Sequence, residues 1–187
     1  MDLNIKIIPY ALKNKHIDGL KKFHIVDEHN NLINHTICNL FAPFGRQTEL
    51  DHKTSSNLSQ HRLNICFTKE DIRSEKKEYK NLTEIIKKYE TYFGLFEELT
   101  GYDNMSNIID RDKYGIVVRF HLKTNKNNTI TPLVMLNNTD EKDMSWIDFD
   151  KDCQINIKFH PDSFWINEIK KTYGISLLID KVYQYKI

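Results

Sequence analysis

The sequence predicts a mainly β protein, an antiparallel sheet with one substantial helical insertion, and three observations predict it. Apolar and polar residues alternate with period two over 61–68, 114–124, 155–159 and 174–185, the pattern of strands with one buried face. The period changes once, to spacings of three and four, over Tyr79, Leu82, Ile86, Tyr89, Phe93, Phe96 and Leu99. That is the apolar stripe of an amphipathic helix. Strands, one helix, then more strands is the order of an antiparallel β fold rather than of alternating βα units.

Taken in order, Leu3, Ile5 and Ile7 alternate with Asn4 and Lys6, a strand over 3–8 that Pro9 ends or places at an edge. Residues 23–27 and 32–41 read as strands joined by a turn at His29, Asn30 and Asn31, a hairpin. Residues 42–60 are polar and aperiodic, a long loop that is either functional or a tolerated insertion. The next strand puts Leu63, Ile65 and Phe67 on one face and Arg62, Asn64 and Cys66 on the other. Thr68 with Asp71 resembles a capping box opening a helical region at about 70–100, and Gly101 is placed to end it. The stripe fits a helix lying against a sheet, with a dimer seam as the alternative.

The stretch 114–136 organises the rest. Ile116, Val118, Phe120 and Leu122 alternate with Val117, Arg119, His121 and Lys123, so three basic residues share a face. The Asn-rich break at 125–128 favours a turn and 129–136 a returning strand, an antiparallel hairpin with one basic face. Beyond it, 137–145 reads as a loop, 146–149 as a short strand, 155–159 as a strand stopped by His160 and Pro161, and 174–185 as the last strand. Residues 164–169 are ambiguous between strand and helix. There is no internal repeat or linker, so 187 residues make a single domain.

Composition narrows the function classes. Hydrophobic residues make up 40% of the chain, enough for a sizeable core, and the formal net charge is +1. A protein wrapping duplex DNA usually carries a clear basic excess, so any nucleic-acid contact needs its cations segregated on one face. Cys38, Cys66 and Cys153 are isolated and odd in number, which fits buried reduced thiols and not a disulfide framework. No apolar run approaches the ~18 residues of a membrane span, and the N-terminus lacks a secretory pattern, so a soluble intracellular chain is expected.

For catalysis the sequence offers little. It has no glycine-rich phosphate loop and no Gly-x-Ser-x-Gly elbow. Cys38, His52, His61 and Cys66 match no zinc-finger spacing. Asp140, Glu141, Asp143, Asp148, Asp150 and Asp152, with Asp110 and Asp112 as a smaller pair, could share magnesium in a metal-dependent nuclease, although loop carboxylates are ordinarily solvated. No cofactor is expected. Binding has more support: cations on polar strand faces (Arg62, Arg119, Lys123), aromatics near turns (Phe41, Phe44, Trp146, Trp165), and a long polar loop. A cationic groove lined with stacking rings is how single strands are held. Phe44 beside Arg46 suits a stacking role, and Trp146 and Trp165 suit the core.

The run Tyr114-Gly-Ile-Val-Val-Arg-Phe-His-Leu-Lys-Thr124, the Asn-rich break, and Thr129-Ile-Thr-Pro-Leu-Val-Met-Leu136 resemble a segment of the single-stranded DNA-binding proteins of large cytoplasmic DNA viruses, of the African swine fever virus type. The preceding amphipathic helix and the later Gly174, Ile175, Ser176, Leu178 and Val182 extend the resemblance to 79–136 and 163–186. It implies an OB-like β-barrel and a non-catalytic, largely sequence-independent protein. It also implies a role covering exposed strands during replication in the host cytoplasm, with single-stranded DNA and replication proteins as partners. Arg119 and Lys123 match the basic positions of the motif strand, and residue 121 is His. The nucleic-acid-binding set expected is therefore Phe44, Arg46, Arg62, Arg119, His121 and Lys123. The acidic tail frequent among such proteins has no counterpart in Lys181-Val-Tyr-Gln-Tyr-Lys-Ile187, so tail-mediated contacts are not expected. A β-rich interaction or virion subunit without DNA contact is the competing possibility.

Overall fold

The computed structural model describes residues 5–9, 19–43, 46–50, 59–104, 109–111, 115–125, 128–137, 140–149 and 153–185. Strands β1 (Lys6–Pro9), β2 (Leu20–Val26), β3 (His35–Ala42), β4 (Arg46–Leu50) and β5 (Ser59–Thr68) precede helices α1 (Lys69–Arg73) and α2 (Lys77–Thr100). Then come β6 (Asp103–Asn104), β7 (Ile109–Arg111), β8 (Gly115–Leu122) and a ribbon of β9 (Thr124–Asn125) with β10 (Asn128–Thr129). Strands β11 (Leu133–Asn137) and β12 (Asp140–Met144), a 3-10 turn at Trp146–Asp148, and the long β13 (Cys153–Asn167) and β14 (Thr172–Tyr185) complete the chain. The protein is mostly β with one main helix, as the alternating periods require.

The antiparallel pair β13–β14 is the spine. The first half of β13 pairs with β3 and the second half with β2. β14 lies parallel to β8 through Leu178↔His121 and Ile179↔Leu122, and parallel to β11 farther along. β5 adds to the other edge of β8, antiparallel. Strands β3, β13, β14, β8 and β5 thus follow one another around an OB-like core, and β3 comes back close to β5. Among the described residues no ladder joins β3 to β5, so the sheet is mixed and its hydrogen bonds do not close a barrel.

Period-two burial fills that core with Leu63, Ile65, Ile116, Val118, Phe120, Ile155, Ile157, Phe159 and Ile179. The helix turns Leu82, Ile86, Tyr89 and Phe93 onto it. Phe93 stacks on Phe164 at 4.4 Å, and Phe67 meets Tyr79 edge-on at 5.5 Å. The helical region starts as its sequence dictates. The Asp71 N–H donates to the Thr68 hydroxyl at 3.1 Å, and the Thr68 N–H donates to the Asp71 carboxylate at 2.9 Å. Gly101 ends α2 in the left-handed region at φ 66°. Gly115 is fixed by close approach, since a Cβ there would lie 2.0 Å from the Phe67 carbonyl oxygen.

Several elements differ from the sequence-based expectation. The 114–136 hairpin does not form as such: β8 pairs with β5, β7 and β14, and β11 joins β14 and β12. Thr131 is the reason. Its hydroxyl accepts the Lys123 N–H at 2.7 Å, its carbonyl accepts the Trp146 indole at 2.6 Å, and Val182 N–H donates to the neighbouring Pro132 carbonyl at 2.9 Å. The returning chain is thereby fastened to β14. Likewise 23–27 and 32–41 are joined only by the bridge Val26↔Leu32, because β13 takes β2 and β3 separately. Acidic 140–144 is a strand whose pairing is carried by backbone, and 146–148 is a 3-10 turn. Within 42–60, Arg46–Leu50 pairs with β5. β13 runs through Pro161, which falls between the last β3 pair at Phe159 and the first β2 pair at Ser163, where that side of the strand has no partner needing an N–H. Of the cysteines expected to be buried, Cys38 is exposed, Cys66 is intermediate and Cys153 is buried.

His35 gives a pH prediction. Its imidazole contacts the Tyr89 hydroxyl at 2.7 Å and packs on Phe159 at 5.3 Å. Burial, then the nearby charges of Lys88 and His160, lower its pKa below the ordinary value. The unfolded chain therefore takes the proton first as pH falls. The stability from neutral His35 is whole above about pH 6.5 and is lost as pH drops through the lowered value. Urea unfolding at pH 8 and pH 5 is expected to show this loss, with a shallower loss in His35→Gln.

Candidate nucleic-acid interface

The outer face of β5 and β8 is set by their antiparallel register. Arg62 lies opposite His121, and Asn64 opposite Arg119. Directly opposed residues share a face, so these four form two adjoining polar rows. Their neighbours Leu63, Ile65, Val118 and Phe120 point the other way and are fully buried. Arg119 is exposed, Arg62 and His121 are half-buried, and Asn64 is buried. Helix α2 touches core-facing rings such as Phe67 and Phe164, so it does not lie over this face.

Lys123 continues the face but its charge is engaged. Its ammonium donates to Asp180 Oδ1 at 2.8 Å, and the other carboxylate oxygen meets His160 Nδ1 at 2.7 Å. His160 is buried, and Asp180 is largely so. Burial by itself would raise the Asp180 carboxyl, but the bonds from Lys123 and His160 outweigh it and hold the group below the usual carboxylate range. A phosphate reaching Lys123 must compete with a carboxylate already in place.

Of the expected residues, the structure brings together Arg62, Arg119, His121 and Lys123. Arg46 lies in β4 opposite Leu63, while Gln47 is the position opposite Arg62, so register places Arg46 in the alternate row. Phe44 lies outside the described residues, as do His52, Asp112, Asp150 and Asp152. Among the described residues no group of three or more His, Cys, Asp or Glu is placed to hold a metal ion, and no helix is long and apolar enough to cross a membrane. Trp146 is buried and Trp165 intermediate. Sequence reasoning missed Asp180 and His160. Asp180 is 57 residues from Lys123, and nothing in its own stretch marks it as a partner.

Removing the competing carboxylate has a defined consequence. Asp180→Asn is expected to tighten single-strand binding several-fold at low salt. It is also expected to steepen the dependence of log K on log salt by about 0.7, the increment for one further phosphate contact on a single strand. Fluorescence titration over a salt series measures both.

No family model matches the chain, and no curated protein matches it. Among solved structures, the fold is similar to that of gp2.5, a single-stranded DNA binding protein encoded by bacteriophage T7, at 12% identity and a TM-score of 0.50, covering 82% of this chain and 92% of that one. At that identity the likeness is one of fold.

Proposed function

We propose that the protein binds single-stranded DNA without reading its sequence, through the outer face of β5 and β8. The observation that carries this is the pair of opposed rows, Arg62 with His121 and Asn64 with Arg119, on an OB-like sheet. In OB folds the face of the second and third barrel strands is the one that takes oligonucleotides, and β5 and β8 occupy those positions in the strand order. Arg62 and Arg119 meet phosphates, His121 adds a donor between them, and Lys123 joins when Asp180 releases it. In the same proposal Phe44 serves as a stacking ring, and Arg46, in the alternate row, as a further cation outside that face. The fold likeness to a single-stranded DNA binding protein supports the reading, as does the resemblance to the viral family of the African swine fever virus type. On that reading residues 1–187 form one nucleic-acid-binding domain. The protein is non-catalytic, covers exposed strands at a cytoplasmic replication site, and works beside replication proteins.

The test is an equilibrium titration of a ~30-mer oligo-dT and of a duplex of equal length across a salt series. The expected result is single-strand preference with affinity falling steeply as salt rises, because bound cations displace condensed counterions. Salt-independent binding, or none, overturns the proposal.

A further inference from the structure

A second outward-facing surface lies on the far side of the spine, where β3, β13 and the last third of β14 meet. The core-facing residues there, Leu40, Ile155, Ile157 and Val182, are fully buried. The opposite side carries rings that the core does not use. Phe41 and Tyr185 are each 37% exposed. Phe41 pairs with Gln154, and Tyr183 with Asn156. The Asn156 amide donates to the Tyr185 hydroxyl, and its carbonyl oxygen accepts the Asn39 N–H at 2.9 Å, so the polar groups between the rings are mutually fixed.

One row farther, Lys158 lies directly opposite Lys181. Like charges facing each other across a sheet destabilise it. Lys181 is partly relieved by Glu141 at 2.9 Å and by the Tyr183 ring at 4.5 Å. Lys158 is exposed, with no ion-pair partner among the described residues. An anion between the two ammonium groups would remove the repulsion. Beyond β14, Val134 pairs with Asp143 and Leu136 with Glu141, which puts acidic residues on the border of the lysine row.

The register shift between Lys158 and Phe159 connects this surface to the β5–β8 face. Lys158 faces Lys181 while Phe159 faces Ile179, which makes Asp180 the extra residue. A bulge of that kind lets two successive residues leave the core side. Asp180 belongs to the β5–β8 face and Lys181 to the ring-bearing one, so β14 carries one surface into the other.

We infer that single-stranded nucleic acid bound on the β5–β8 face continues across the Asp180–Lys181 bulge onto a second segment. There Lys158 and Lys181 hold phosphates, and Phe41, Tyr183 and Tyr185 stack on bases. The inference rests on the proposed function and lengthens its footprint. Exposed rings interleaved with lysines favour a single strand over a protein partner, because stacking accepts any base while phosphates satisfy the opposed ammonium groups.

The experiment compares oligo-dT of about 8 and about 30 nucleotides on the full chain, bracketing the span of one OB fold. The variants are Phe41→Ala with Tyr185→Ala, and separately Lys158→Ala. The double variant is expected to lose about tenfold in affinity for the long strand and little for the short one, with Phe41→Tyr and Tyr185→Phe restoring it. Lys158→Ala, a surface change that spares the core, is expected to make the salt dependence on the long strand shallower by about 0.7. Wild-type long-strand affinity and slope in both sets, while Arg62→Ala with Arg119→Ala still weakens binding strongly, overturns the second segment and leaves the first face standing. Absence of binding by the unmodified chain overturns both.

Discussion

Replacing Arg62 and Arg119 together with Ala is expected to weaken oligo-dT binding on the order of a hundredfold at low salt, about tenfold for each phosphate contact removed. The slope of log K against log salt should become shallower by about 1.4, at about 0.7 per phosphate on a single strand. Both side chains leave the sheet on the outer side, on adjacent strands and two residues apart in register. Removing them leaves Leu63, Ile65, Val118 and Phe120 packed as before, so circular dichroism and the melting temperature should change little. Lys123→Ala should weaken binding much less, because Asp180 already offsets that ammonium. Equal losses from all three positions would mean that Asp180 does not compete. An Arg62→Ala, Arg119→Ala variant that binds as the parent does would remove the β5–β8 face from consideration.

The largest expected effect on stability is that of Phe164→Ala. Phe164 is 2% exposed and sits where the helix meets the spine. Its ring stacks on Phe93 at 4.4 Å, meets Phe96 at 5.3 Å and Tyr173 at 5.9 Å, and has Phe23 at 6.2 Å. Truncation removes apolar burial and opens a cavity among four aromatic rings, at a cost of about 3–5 kcal/mol. Set against a typical total of about 5–15 kcal/mol, that is a large share. Differential scanning calorimetry should show the melting temperature fall by about 10 °C, with Phe164→Leu falling less. A fall of only about 2 °C would mean that the helix is not anchored there.

What the sequence made legible was whatever its own local period encodes. The alternation through β5 and β8 separated Arg62, Arg119, His121 and Lys123 from the buried row, and the three-four spacing from Tyr79 marked α2 with its capping box and Gly101. Partner choice was not legible. The residues flanking the Asn-rich break do pair, as β9–β10, but Thr131 and Pro132 bond to β14, Lys123 and Trp146, and those bonds decide where β11 goes. The strand β12 has a sequence, Asp-Glu-Lys-Asp-Met, with little β propensity, and backbone pairing to β11 overrides it. The ion pair that ties up Lys123 joins strands far apart in the chain, and no spacing rule finds it.

The arrangement of the spine also bears on how the molecule comes to be made. β2, β3, β8 and β11 all find a partner in the stretch 153–185, which is synthesised after all of them. Contacts so distant in sequence make for slow acquisition of the native state. A nascent copy lacking that stretch exposes several apolar edges at once, the condition under which unfinished chains adhere to one another and holding chaperones are needed.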